Sequence, residues 1–288
     1  ITDLDSLVDA ATQALARNPE AKSLMNGMIP QLVTDCFYDS CSAAWQKEDG
    51  TLDAEALGAY LNAMQAIYDL DAPVREQYAD FLKQLEAEGD NFYTPGDYTS
   101  ISGARGIVMD GTALSAGTLE SMELWAGALA GEDRLEGYAL VPLNLQASGV
   151  FLPRQLYGVL KTTENEDGAR EFVQFVLSEE VQENALSYGF PVNRAAFDRQ
   201  IQEDKTVEDK FASSDENGNM ISLAARYPSA AERKQLVSWV DALTTPAMTD
   251  RTVRKLVSDQ AAASMRGTCT PAEAVAQALQ SLNLYLSE

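Results

Sequence analysis

Apolar residues recur at helical spacing along most of the chain. Leu4, Leu7, Val8, Ala11 and Leu15 share one face, and Thr2-Asp3-Leu4-Asp5 ahead of them has the form of a capping-box start. A first helix is therefore predicted, ending at Asn18-Pro19. Leu32, Val33, Cys36, Phe37 and Ala44 predict a long helix from Pro30 to Gln46. Leu57, Leu61, Met64, Ile67 and Tyr68 predict another that begins at Asp53, and Val74, Tyr78, Phe81 and Leu85 one that begins at Pro73. A helix is expected from Leu119 to Ala130. Asn165-Glu166-Asp167 caps a strongly amphipathic one carrying Ala169, Phe172, Val173, Phe175, Val176 and Leu177. Ser229-Ala230-Ala231-Glu232 is a capping box. The last helix takes Thr270 as N-cap, Pro271 at its first position and Glu273 at its third, with Ala274, Val275, Ala278, Leu279, Leu282 and Tyr285 as its buried stripe.

Strand signals are fewer. Lys22-Ser23-Leu24-Met25 is closed by Asn26-Gly27, and Arg105-Gly106-Ile107-Val108-Met109 by Asp110-Gly111. Tyr138 to Val141 is stopped by Pro142, and Gln155 to Leu160 is a further candidate strand. Asp204 to Gly218 is polar and reads as a surface excursion. Loop chemistry marks Glu88-Gly89-Asp90 and Tyr93-Thr94-Pro95-Gly96. A few strands among many helices predict a helix-rich α/β protein.

Length and charge narrow the picture. A chain of 288 residues suits two modest domains or one two-lobed body. Lys and Arg number 21 against 44 Asp and Glu, giving a formal net charge of −23. Such a surface repels phosphate backbones and anionic lipid, so no nucleic-acid partner is expected. There is no histidine, which removes Ser-His-Asp, Cys-His and His-metal chemistries at their proton acceptor or ligand. Cys36 and Cys41 lie five apart in a predicted helix, roughly 8 Å between Cα atoms, too far for a disulfide. With Cys269 they read as small buried hydrophobes rather than a zinc site. No run of 18 apolar residues occurs, so no transmembrane helix is predicted.

The motif screen leaves few chemical candidates. Glu48-Asp49-Gly50-Thr51-Leu52-Asp53 resembles half an EF-hand loop, but the end positions would be Trp45 and Ala56, which offer no side-chain oxygen. Asp215-Glu216-Asn217-Gly218-Asn219 reads as a solvated loop. Gly103-Ala104-Arg105-Gly106 precedes a predicted strand, so it is no phosphate cradle, and no metal site or cofactor is expected. Trp45, Trp125 and Trp239 sit within helical patterns and are expected in cores. Open α/β sheets bind ligands beyond the carboxyl ends of strands. That rule selects Met28, Asp110 and Thr112, with Arg154 and Tyr157 flanking the later strand.

The order of pieces carries a resemblance. Residues 161–182, with Ala169, Phe172, Phe175, Val176, Leu177, Ser178, Glu180 and Gln182, resemble the strand, turn and "A-x-x-F-x-x-F-[LV]-L-S-x-E-x-Q" helix of extracellular solute-binding proteins of ABC importers. Gly189-Phe190-Pro191-Val192-Asn193 is similar to their "G-[FI]-P-V-N". Residues 103–109 are similar to their "G-K-A-A-M" strand. Residues 267–274 and Tyr285-Leu286-Ser287-Glu288 resemble their closing helix and terminal "Y-L-x-E". The likeness is to the family 1, sugar-binding, maltodextrin-binding-protein-like members.

That resemblance implies type II periplasmic-binding-protein-like lobes, mostly the second lobe with part of the first. It places residues 1–157 in the second lobe, 158–200 in a re-entry into the first, and 201–288 in a helical return completing the second. It implies that the family's N-terminal segment, with any lipid anchor, lies ahead of Ile1-Thr2-Asp3-Leu4-Asp5-Ser6-Leu7. The implied activity is capture rather than catalysis, with no catalytic residue and no cofactor. The solute is a sugar or oligosaccharide, the partners are ABC permease subunits, and the place is extracellular, on a cell-surface lipoprotein or in the periplasm. The cleft is implied to take Met28, Gln31, Asp110, Thr112 and Met248, with Tyr38 reaching in from the long helix. Two other classes compete. A carboxylate-dependent glycoside hydrolase needs two converging carboxylates, and a helical interaction module needs an apolar groove without a polar pocket.

Overall fold

Two separate apolar clusters organise the chain, and the caps named above start most of the helices that build them. The computed structural model describes residues 1–25, 29–45, 47, 51–80, 83, 103–183, 189–214, 218–247 and 250–287. Among the described residues the protein is helix-rich, with small two-stranded sheets.

Helix α1 (Leu4–Arg17) begins on a capping box in which Asp3 Oδ1 accepts from the Ser6 N–H at 2.7 Å and Ser6 Oγ accepts from the Asp3 N–H at 3.1 Å. Helix α2 (Pro30–Ser42) has proline at its first turn, where a missing N–H costs nothing. Asp53 caps α3 (Ala54–Leu70) through the Glu55 and Ala56 N–H groups, both at 3.0 Å, and α4 (Ala72–Gln77) follows. Near the other end, Asp250 caps α11 (Arg251–Met265), and Thr270 and Glu273 exchange hydrogen bonds at the start of α12 (Pro271–Ser287).

These five long helices share the first core. Leu7, Phe37, Trp45, Tyr60, Leu61, Met64, Val257, Ala261, Ala278 and Leu282 are all buried in it. The termini of the described chain thus fold together: α12 packs on α3 and α11, and α11 on α2. The second core is smaller. It joins α6 (Met122–Ala128), α9 (Arg194–Gln202) and α10 (Ala230–Asp241) through Met122, Trp125, Leu129, Phe197, Ile201 and Leu236. This core draws residues from both sides of the expected boundaries at 157 and 200.

Several expected strands are corrected. Residues 105–109 lie in helix α5 (Gly103–Asp110), packed on α6. A five-residue apolar run fits either period, and a helix satisfies its own backbone where no neighbouring strand is at hand. Lys22 to Met25 forms a single parallel bridge, Ser23 to Thr112, rather than a strand. Residues 138–142 and 155–160 join no ladder among the described residues. The polar excursion at 204–218 holds the first strand of a hairpin whose second strand follows it. Strands β2 (Lys210–Ser214) and β3 (Met220–Ala224) pair antiparallel, Ala212 opposite Ser222, and Arg105 lies over the Phe211 ring at 4.3 Å. The predicted turn at 48–50, the positions Phe81 and Leu85, the loops at 88–96, and residues 215–217 lie outside the described residues.

The two cores are joined by a short parallel pair, β1 (Val150–Phe151) with β4 (Thr245–Pro246). Backbone bonds extend it: the Thr244 and Thr245 N–H groups donate to Gly149 O, and the Ala247 N–H to Phe151 O at 2.7 Å. Between this junction and α9 run two further helices, α7 (Glu166–Val176) and α8 (Glu179–Glu183). Gly149 adopts φ +59°, and a Cβ there would stand 2.3 Å from Ala242 O. Backbone cannot yield as a side-chain tip does. Gly149→Ala is therefore expected to lower stability by about 1–3 kcal/mol, read as a shift in the urea midpoint at unchanged slope.

Candidate functional site

The junction between the cores carries a charged cluster built by α2 and α11. Asp35, Tyr38 and Asp39 lie on α2 at spacings of three, four and one, so they share one side of the helix. Arg254 lies in the first turns of α11, flanked by buried Val253 and Val257. Its guanidinium bonds to Asp39 and stands 3.9 Å from Asp35 Oδ1. It also covers the Tyr38 ring, 4.4 Å from the centroid. All four side chains are buried or nearly so.

Beneath the arginine runs an aromatic stack. Tyr38 meets Trp45 edge-on at 5.2 Å, and Trp45 leans on Tyr60 at 4.9 Å. Trp45 Nε1 donates to Gln146 Oε1 at 2.9 Å, and Tyr60 Oη donates to Thr34 O at 2.6 Å. The Tyr38 hydroxyl is buried and makes no hydrogen bond among the described residues.

The electrostatics follow from burial. Desolvation raises the Asp39 carboxyl above the ordinary carboxylate value, and Arg254 works against that shift. Burial raises the Tyr38 phenol, again opposed by Arg254. The Arg154 charge also reaches Asp39. Arg154 itself is exposed and pairs with Glu120 on the segment that enters α6. On the other side, Asp250 caps α11 through the Thr252 and Val253 N–H groups and accepts from Tyr285 Oη at 3.0 Å.

The expected site residues divide. Tyr38 and Arg154 come to this junction, though Tyr38 points into the core rather than lining a cleft. Tyr157 follows on the same segment, exposed, its hydroxyl donating to Gln155 at 2.6 Å. Gln31 is half-buried in the first turn of α2. Asp110 ends helix α5 and is exposed, where a loop after a strand was expected. Thr112 is buried in its bridge to Ser23. Met28 and Met248 lie outside the described residues. Asp35, Asp39, Glu120, Asp250 and Arg254 were missed. A carboxylate pair four apart on an apolar helix face was the available signal for the first two.

Among the described residues, no group of three or more Cys, Asp and Glu side chains is placed to hold a metal ion. Cys41 and Cys36 are free thiols, and burial pushes both up to about 12. No protein-family model and no curated protein sequence matches the chain.

Removing Arg254 leaves two carboxylates without their cation in the interior. Arg254→Met is expected to cost about 3–5 kcal/mol at neutral pH. The pH dependence has a definite sign. A carboxyl raised in the folded state favours folding when protonated, and that contribution is lost as pH rises through its folded value. The variant loses the opposing arginine, so its deficit should shrink on acidification from pH 7 to 5 in urea titrations. A deficit constant with pH would contradict the arrangement.

Proposed function

We propose that the chain belongs to an extracellular solute-binding protein that captures a sugar or oligosaccharide and delivers it to an ABC importer. The observation that carries this reading is the pair of chain crossings. Two apolar cores are linked by β1 and β4 side by side, with exposed polar and aromatic side chains where the chain leaves the pair. The chain passes between the cores at 116–119, 129–143, 145–190 and 240–253, the last two passages lying side by side at β1 and β4. Connections of this kind can serve as a hinge, and hinged lobes close when a ligand touches both.

Arg154 and Tyr157 supply what a polyhydroxyl solute needs. A guanidinium offers fixed donors to hydroxyl oxygens, and an exposed tyrosine ring offers an apolar face to sugar C–H groups. The sequence resemblance at residues 161–182 and 189–193 supports the family, the type II lobes and the permease partner. The net charge of −23 suits a solvated outer surface.

Calorimetric titration of the natural-length protein with a panel of mono- and oligosaccharides tests the reading. Binding of at least one sugar is expected, weakened about tenfold or more, or about 1.4 kcal/mol, by Tyr157→Ala. No heat with any sugar, at a protein concentration that registers micromolar affinity, would exclude the carbohydrate reading.

A further inference from the structure

The second core carries a basic recess in an acidic chain. Ala230, Arg233, Lys234 and Val237 follow one another on α10 at helical spacing, so they share one face. Ile201 and Gln202 end α9, which packs against α10. These residues line an open recess of about 300 Å³. Ile201 and Val237 give it an apolar floor continuous with the second core, and Arg233, Lys234 and Gln202 supply its polar atoms. The recess shares no residue with the Arg254 cluster or with Arg154 and Tyr157.

Arg233 is under-compensated for its depth. The residue is only 8% exposed. Its Nη1 donates to Pro228 O at 2.6 Å and stands 3.4 Å from Oδ1 of Asp204, a side chain 89% exposed. Its Nε and Nη2 bond to no described residue, and Tyr227 offers a ring whose centroid is 5.6 Å away. Arg254, buried to a similar degree, is met by two aspartates. A charge withdrawn from water is costly until an opposite charge meets it. Nε and Nη2 form the edge of a guanidinium that grips both oxygens of a carboxylate.

Lys234 calls for the same kind of ligand. It is exposed on the rim and pairs with no described carboxylate, although acidic residues outnumber basic ones 44 to 21. Two acids close by in the sequence are already engaged, Glu203 by Lys205 at 2.9 Å and Glu232 by Arg226 at 2.8 Å. The floor then chooses among anions. Inorganic phosphate gains nothing from Ile201 and Val237, whereas an aliphatic chain is desolvated on them. The volume suits a small molecule.

We infer that the recess between α9 and α10 binds a small aliphatic carboxylate. The Nε–Nη2 edge of Arg233 grips its two oxygens, Lys234 adds a second positive charge, and its chain lies on Ile201 and Val237. The site is additional to solute capture and does not rest on it.

Titration of the isotope-labelled full chain with hexanoate at low salt tests it, followed by nuclear magnetic resonance. The readouts are the Arg233 Nε–Hε signal and the Ala230 and Val237 amides. Saturable shifts with a dissociation constant of about 1 mM or tighter are expected. Hexanamide keeps the chain and loses the charge, and inorganic phosphate does the reverse. Each should bind at least about tenfold more weakly than hexanoate. Arg233→Lys keeps the charge and loses the fork, and should weaken hexanoate at least about tenfold. Lys234→Glu reverses an exposed charge without disturbing the second core, and should weaken it by about as much. If Arg233→Lys fails to fold, Lys234→Glu decides alone. No saturation by about 20 mM hexanoate, equal affinity for hexanamide or phosphate, or unchanged affinity in Lys234→Glu would overturn the inference.

Discussion

An arginine held in the interior fixes how two halves of the sequence meet. Arg254 on α11 can sit where it does because Asp39 and Asp35 on α2 neutralise it and Tyr38 offers its ring face. A lone guanidinium at this depth would cost several kcal/mol. The partners in turn need the arginine, since two carboxylates one helical turn apart repel each other. The cluster therefore selects one rotation of α2 against α11, where apolar packing alone would accept several. Thr34 and Ser258 repeat the choice one turn away, their hydroxyls 3.0 Å apart.

The aromatic stack and the junction depend on that choice. With α2 fixed, Tyr38 presses on Trp45, Trp45 reaches Gln146, and Gln146 Nε2 donates to Ala56 O at 2.5 Å. The segment holding Gln146 continues directly into β1, and the Ala147 N–H bonds to Ser40 O at 3.2 Å. So the crossing strand is anchored on the helix that carries the charged cluster. Its partner β4 leads through Asp250 into the helix that carries the arginine. Both crossings are thus tied at one end to the same buried ion pair.

Much of this was readable in the sequence, and the division has a physical basis. Caps at Asp3, Asp53, Asn165, Ser229 and Thr270 are local: donor and acceptor lie within three residues, so the pattern alone places the helix start. Helix faces were readable for the same reason. Strands were not, because a strand exists by virtue of a partner elsewhere. Residues 105–109 have strand composition but form a helix, and the polar stretch around Phe211 forms a hairpin because Leu223 and its neighbours lie opposite. Of the site, Arg154 and Tyr38 were expected to line a ligand cleft and both lie near the charged cluster, Tyr38 within the core, but the bond between Arg254 and Asp39 spans 215 positions. Nothing in either local pattern announces the other.

The buried thiols have a consequence for how the protein ages. With their ionisation pushed up to about 12 by desolvation, Cys36 and Cys41 stay as thiols at pH 7. The thiolate is the species that attacks disulfides and peroxides, so neither residue has an easy route to exchange or oxidation while the first core stays closed. The reactivity of Cys41, the fully buried one of the two, instead reports opening of that core. A thiol reagent applied under native conditions would label Cys41 at the rate at which α2 lifts from α3 and α11, turning a chemically silent residue into a clock for the packing around it.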